Sequence, residues 1–599
     1  MNKYDVRRLP LSVAVSSVLV TGAAQAAVIT VDSSADAPLG TYASDCTLRA
    51  AIASANTDTA VDGCVAGTAG LDEIEFDQSL ASSTITTSDA QFEITSPVSI
   101  TGPVEGDSTG LTISGGGLYR TLWIEGNAPG SIEVSLDSLT VRDGYLGLLS
   151  PDFFGGAGIN SRNADLSLTD VQVTSNYSYY GRNGLYLSNG ALSIERATIN
   201  NNFDGYLGGT GGGVTTLNAE VVITDSQIQN NKTAYGAGGL LLNESISVIS
   251  GSVISSNSAD DYFGFGNGGG IKVSGGELTL IDSEIRDNDI SSAGSGGGIH
   301  SRRTDVTLVN TEVESNSIGY YFGFTQRGAG IYADEGSLTL TDSSVSNNSI
   351  DSYFLAGGGI FADSLALDIQ RTRVSGNQLN SYQSAYGSGL YLSNVSGTIA
   401  YSDVSLNDVY GDYANGAGIV LASGDLELVN TTVSGNTITS YNPGNIGAAS
   451  GILLSSTSSL TLTHSTVANN RPDGGELTRT IQVGPQAGFT LINSLISGPT
   501  DLDLCSTQAS SATLSLAVDT SCTGTATDPT DLALGSLNDN GGPTRTHSLG
   551  TGSVAIDAAG DCDTDHGVAL DQRGLVRVLP CDIGAFEFFD GVFADRFED

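Results

Sequence analysis

The residues able to do chemistry are few and scattered. His300, His464, His547 and His566 lie far apart in the chain and supply no metal-ligand spacing. Asp260-Asp261 is the best acidic pair, and Arg162, Arg302 and Arg303 take similar places within their own segments. A polysaccharide lyase would need calcium-binding acids facing such an Arg or Lys base, but these arginines fall on segments far from one another. Hydrolysis of a glycosidic bond would need clustered carboxylates with supporting cations. No Arg-x-Lys stands in the central region, and the only His-Gly is His566-Gly567, near the carboxy end. Asp561, Asp563 and Asp565 alternate as at the start of a calcium loop, although Gly567 comes one place late and Gln572, not Glu, holds the twelfth position. Gly106-Asp-Ser108-Thr-Gly110 and Gly264-Phe-Gly266-Asn-Gly-Gly269 match nucleophile-elbow and dinucleotide patterns, without the strand and helix context either requires.

A richer signal is aromatic. Tyr262, Phe263 and Phe265, then Tyr320, Tyr321, Phe322 and Phe324, then Tyr353 and Phe354 sit in segments of varying length that follow a recurring asparagine. Rings displayed from one corner of a repeating structure form a stripe, suited to sugars or to a protein partner. These nine residues are the expected ligand-binding set. The competing reading is that the rings only stack on one another to shield the edge of the coil.

The elements that would hold them come from a repeat. Ten times an aliphatic residue after a glycine cluster is followed by Asn seventeen places on, from Ile159/Asn176 through Ile271/Asn288, Ile299/Asn316 and Ile331/Asn348 to Ile419/Asn436. The mean period is about 29 residues, in the range of solenoids and propellers. Apolar residues recur near offsets 0, 2, 7, 9 and 14, as in Ile419, Leu421, Leu426, Leu428 and Val433. Such period-two runs predict three short strands per repeat with one face buried, stacked as a parallel β-helix. The asparagine is expected to form an amide ladder along the stack, against the alternative that it only tolerates a left-handed turn. Gly-Gly-Gly before Ile271, Ile299 and Ile360 would ease the backbone back into the coil.

Residues 1–26 carry Lys3, Arg7 and Arg8, an apolar run and Ala24-Gln25-Ala26, the pattern of a secretory signal peptide. No other stretch is long and apolar enough to span a bilayer as a helix. Without the signal the chain keeps 20 basic and 65 acidic residues, a net charge of about −45. Such a field disfavours nucleic acid, and anionic polysaccharide unless divalent cations intervene. Six cysteines fall as three close couples, Cys46/Cys64, Cys505/Cys522 and Cys562/Cys581, all outside the repeats. Export makes them disulfides, and their places assign them to caps over the open strand edges of the solenoid. Thr47 can cap a short helix whose Leu48, Ala51, Ile52 and Ala55 share a face.

Cys46-Thr-Leu-Arg-Ala-Ala-Ile52 resembles the CSLREA motif near the start of exported bacterial β-helix proteins, with Thr for Ser and Ala for Glu. From Asn538, NDNGGPTRTHSLGTGSVAIDAAG, DQRGLVRV and CDIGAFEF resemble the choice-of-anchor Q segment. The resemblance implies a secreted or cell-surface β-helix of a Gram-negative bacterium and carries no reaction with it. The organisation expected is a signal peptide (1–26), an amino-terminal cap (27–70), a right-handed parallel β-helix (71–500), an anchor-Q-like segment (501–590) and a short tail (591–599). The functional expectation is binding to carbohydrate or a surface partner, with no cofactor beyond a possible calcium. A polysaccharide-degrading enzyme is the rival reading.

Overall fold

The computed structural model describes residues 26–103, 110–147, 155–204, 210–259, 266–319, 325–439, 449–473, 479–499, 503–562 and 568–589. They form a parallel β-helix, in which strands of successive coils pair in register. Three parallel sheets run the length of the stack, one of 26 strands and two of 16 among the described residues. In the coil beginning at Ile271, the broad sheet receives Ile271–Ile281, the middle sheet Glu284–Arg286 and the third sheet Asp289–Ile290. Ile271 stands opposite Leu240 on one side and Ile299 on the other, so equivalent aliphatic residues stack into one continuous, fully buried core.

The strand plan departs from the expected one in two ways. The first two apolar runs fuse, in the central coils, into a single eleven-residue strand. The third sheet begins only after the asparagine, in the segment expected to be loop. Its inward residues Ile290, Ile318, Ile350, Leu379, Val409 and Ile438 form a second apolar row with Leu355, Ala385 and Ala414. That row escapes a reading of the sequence because each coil contributes only one or two residues to it before the chain length varies.

The asparagine ladder is complete from Asn176 to Asn470. Each Nδ2 donates to Oδ1 of the next asparagine at 2.8–3.0 Å, as from Asn288 to Asn316 and Asn436 to Asn470. Nδ2 also donates to a main-chain carbonyl of the preceding coil, as from Asn316 to Ile285. The left-handed positions are the residues before the ladder, such as Asp287, Ser315 and Asn347 with φ near +55°. This settles the two readings of the asparagine in favour of the ladder. A parallel hydroxyl ladder lies five residues earlier, where the backbone N–H of Thr311 donates to Ser343 Oγ and that of Thr372 to Ser402 Oγ, both at 3.1 Å.

Two different constraints select glycine at the re-entry turn. Gly296 has φ +71°, where a side chain would be strained. At Gly298 a Cβ would fall 2.7 Å from the Gly330 carbonyl oxygen and 2.9 Å from Asn316 Nδ2, so the ladder amide itself excludes it.

At the amino end Val28–Val31 pairs with Asp72–Phe76, and the Leu48–Thr57 helix covers the stack with Leu48, Ala51, Ile52 and Ala55 buried. Thr47 Oγ1 accepts from the Ala50 N–H at 3.2 Å. Disulfides join Cys46 to Cys64, Cys505 to Cys522 and Cys562 to Cys581. The last does not sit over the end of the stack. Its segment turns back along the middle sheet, where Thr544 reaches the Tyr401 carbonyl, Gln572 meets Thr432, Arg577 meets Asn430 and the Gly584 N–H reaches the Asn493 carbonyl. The outward side chains Asp403, Ser405, Thr432 and Ser434 are consequently buried.

Candidate functional site

A groove runs along the outer face of the broad sheet. Its floor is the residue one place after each leading aliphatic, so that Lys272, His300, Tyr332, Phe361 and Tyr391 stand in register on five adjacent coils. One wall is the second strand row of the third sheet, Asn267, Ser295, Arg327, Ala356 and Tyr386, also in register. The other is the row two places further along the broad sheet, Ser274, Arg302, Asp334 and Asp363.

Four rings of the floor stack on one another. His300 and Tyr332 lie 4.7 Å apart at 8°, Tyr332 and Phe361 5.2 Å apart at 6°, and Phe361 and Tyr391 5.2 Å apart at 4°. The strand spacing of about 4.8 Å imposes this distance on equivalent side chains. Ring faces are thereby spent on each other, and edges and polar tips face the groove. Arg327 spans the gap, its guanidinium 5.0 Å from the Phe361 ring and hydrogen-bonded to the Tyr332 hydroxyl.

At one end the groove opens into a cleft of about 410 Å³ lined by Asn267, Lys272, Ser274, His300, Arg302, Arg303, Tyr332 and Asp334. Burial and the neighbouring Lys272 charge push the His300 imidazole down to about 3, so it is neutral at physiological pH. Burial also lowers the Lys272 ammonium and raises the Tyr332 phenol. Asp334 is raised by burial against the pull of Arg302, with which it forms an ion pair at 3.3 Å. The cleft thus offers amide, hydroxyl, ammonium and guanidinium groups around one carboxylate.

Of the aromatic residues expected to bind, Tyr262, Phe263, Phe265, Tyr320, Tyr321, Phe322 and Phe324 lie outside the described residues. Tyr353 and Phe354 belong to the strand Ser349–Ala356 of the third sheet, not to a free loop. Tyr353 is half-buried, with its ring 5.5 Å from Tyr382, while Phe354 is 39% exposed. Arg162 and Arg302 share the outer face, five coils apart. Sequence reasoning does not single out the floor of the groove, because a residue beside a buried aliphatic is an ordinary outward position of a strand. The visible signal was the column of Lys, His, Tyr, Phe and Tyr at one fixed offset.

Asp561 is half-buried, and Asp563 and Asp565 lie outside the described residues. Gln572, the twelfth position of that segment, is committed elsewhere: it accepts from Thr432 at 2.6 Å and donates to Thr544 and the Arg545 carbonyl, each at 2.9 Å. Among the described residues no group of three or more His, Cys, Asp or Glu side chains could hold a metal. No helix there is long and apolar enough to cross a membrane. His547 is structural: its Nδ1 bonds the Gly535 carbonyl at 2.7 Å and its Nε2 bonds Ser434 at 2.8 Å.

The family described as "Right handed beta helix region" matches residues 265–499, which gives the coil its expected hand. No curated protein sequence matches the chain. Among solved structures, pectate lyase Pel9A is similar at 12% identity over 95% of this chain and 98% of its own, with a TM-score of 0.20. A likeness of that size carries no argument about activity.

Proposed function

We propose that the protein is an exported β-helix that binds carbohydrate, on a surface partner or free, through the groove of the broad sheet. The observation supporting this most is the Lys272–Asp334 cleft, where hydrogen-bonding tips from three adjacent coils surround a space of about 410 Å³. Saccharides are recognised by such convergent polar groups on a rigid frame. Export rests on the amino-terminal sequence and is favoured by the three disulfides.

The test is a glycan-array screen of the mature protein, with and without calcium, repeated with Arg302→Ala and Lys272→Ala. Each variant should weaken binding about tenfold or more, the equivalent of about 1.4 kcal/mol. Unchanged affinity in both would refute the assignment of the groove. One observation favours a catalytic reading: burial lowers the Lys272 ammonium, as a general base requires. Unsaturated product absorbing in the ultraviolet, lost in Lys272→Ala, would establish lyase chemistry in place of simple binding.

A further inference from the structure

The third sheet carries an exposed aromatic patch on its outer face, in the three coils led by Ile331, Ile360 and Leu390. Slips in the strand alternation put it there. Between the inward Ser352 and Leu355, both Tyr353 and Phe354 turn outward. Pairing with the next coil passes from Ser352/Ser381 to Phe354/Ser384, so Tyr382 and Gln383 stand opposite the single Tyr353. One coil further, Asp412 and Tyr413 turn outward together between the buried Gly411 and Ala414. A bulge of this kind re-aims side chains that strict alternation would send inward.

These rings differ from those on the groove floor. Tyr353 and Tyr382 lie 5.5 Å apart but are tilted at 40°, against 4–8° in the groove stack, so their faces are not spent on each other. Tyr382 is 51% exposed, Tyr413 49% and Phe354 39%. A cluster of large exposed apolar groups marks an interaction site, where a single one would not. The charges among them are of one sign. Ser349–Ala356, Gln378–Tyr386 and residues 408–415 contain Asp351, Asp408 and Asp412 but no Lys or Arg. Arg327, on the coil before Phe354, is engaged in the groove with the Phe361 ring and the Tyr332 hydroxyl.

We propose that this patch, from Phe354 to Tyr413, docks a basic, arginine-bearing segment of a partner protein. A guanidinium is attracted both to the face of an exposed ring and to the carboxylate beside it, and its planar fork suits the two together. Tyrosine and phenylalanine at a contact supply large area at little cost in side-chain entropy. The charge of the whole chain, 66 acidic against 23 basic residues, draws such a partner in and repels an acidic one. Phe354 and Tyr413 are in register through Ser384, two strand spacings or about 9.6 Å apart, the length of about three extended residues. The patch shares no residue with the groove, so the two sites stand or fall separately.

Binding of a hexa-arginine peptide to the mature protein tests this, with cellohexaose as the neutral sugar that exposed rings would otherwise suit. Phe354→Leu/Tyr413→Leu keeps the charge and the apolar bulk, and should weaken the peptide about fivefold or more. Asp351→Asn/Asp412→Asn should weaken it by more than Glu73→Gln/Glu75→Gln, which removes the same charge from an exposed face at the amino end. Equal losses in these two charge variants would overturn the proposal, because the general field of the protein would then account for the binding. Full peptide affinity in the ring variant would overturn it as well. Cellohexaose binding that disappears in the ring variant, with the peptide still bound, would make the patch a sugar platform and overturn the choice of partner.

Discussion

Asn316 donates twice to one oxygen of Asn348, from Nδ2 and from its own backbone N–H, each at 3.0 Å. Both residues are fully buried, and the same pair of bonds links Asn348 to Asn377 one coil further on. The oxygen thus accepts from two buried donors of the preceding coil. It therefore fixes the register of one coil on the next.

Replacing Asn316 with Ala should accordingly strand the backbone and side-chain donors of Asn288 and the Ile285 carbonyl. An unsatisfied buried polar group costs about 1–3 kcal/mol. Thermal or denaturant unfolding should show a loss of at least that size, with a comparable loss for Asn348→Ala. A melting curve that does not move would mean that the ladder carries no stability.

Much of this was legible in the chain. The seventeen-residue offset is a distance along one coil, and distances along a coil survive translation into sequence. Ile271, Ile299 and Ile331 announced the core for the same reason. The hydroxyl ladder of Ser343, Thr372 and Ser402 was equally periodic but hidden, because Ser and Thr are also ordinary turn residues. Of the groove, only the column Lys272, His300, Tyr332, Phe361 and Tyr391 at one fixed offset was legible, and its walls were not. Arg327, from the third sheet, reaches across to Phe361 of the next coil, and nothing in a linear sequence reports that approach.

His300 gives the protein a specific response to acid. Its folded value of about 3 lies below the ordinary 6.5, so its contribution to stability is present above pH 6.5 and is lost as the pH falls toward 3. One proton over that range is worth about 1.4 kcal/mol per pH unit, or about 2 kcal/mol between pH 6.5 and 5. His300→Phe keeps a ring in the stack and removes the titration. Unfolding free energies at the two pH values should differ by about 2 kcal/mol less in the variant than in the parent, and identical differences would refute the buried neutral imidazole.

The carboxy-terminal segment should be releasable from the flank of the coil at a single point. Asp403 is fully buried, accepts from the Arg545 backbone at 3.0 Å and pairs with the guanidinium groups of Arg545 and Arg373, each at 3.3 Å. Its two arginine partners are partly exposed, so removing Asp403 leaves cations that water still reaches and costs less than a fully buried pair would, about 3–5 kcal/mol, while the Arg545 backbone N–H loses its acceptor. Asp403→Ala should therefore expose the segment from Leu534 onward to trypsin while the repeats stay intact. Uniform resistance, with the parent's digestion pattern, would show that the segment is held by its apolar contacts.

The ring stack and the cleft share Tyr332, and two substitutions separate their roles. Tyr332→Ala removes both ring contacts, to His300 and to Phe361, and should cost about 1–3 kcal/mol, since each aromatic pair is worth about 0.5–1.5 kcal/mol beyond its buried area. A double-mutant cycle with Phe361→Ala should return a coupling of about 0.5–1.5 kcal/mol. Tyr332→Phe keeps both stacking contacts and deletes only the hydroxyl that meets Arg327 at the edge of the cleft. That variant should lose no more than about 1.5 kcal/mol of stability, the worth of one hydrogen bond. If the polar tips of the floor hold the ligand, it should nevertheless bind glycan more weakly than the parent. Full affinity in Tyr332→Phe, with stability lost in Tyr332→Ala, would reduce the stack to a structural spine and move the recognition of the ligand to the Lys272 and Arg302 side of the cleft.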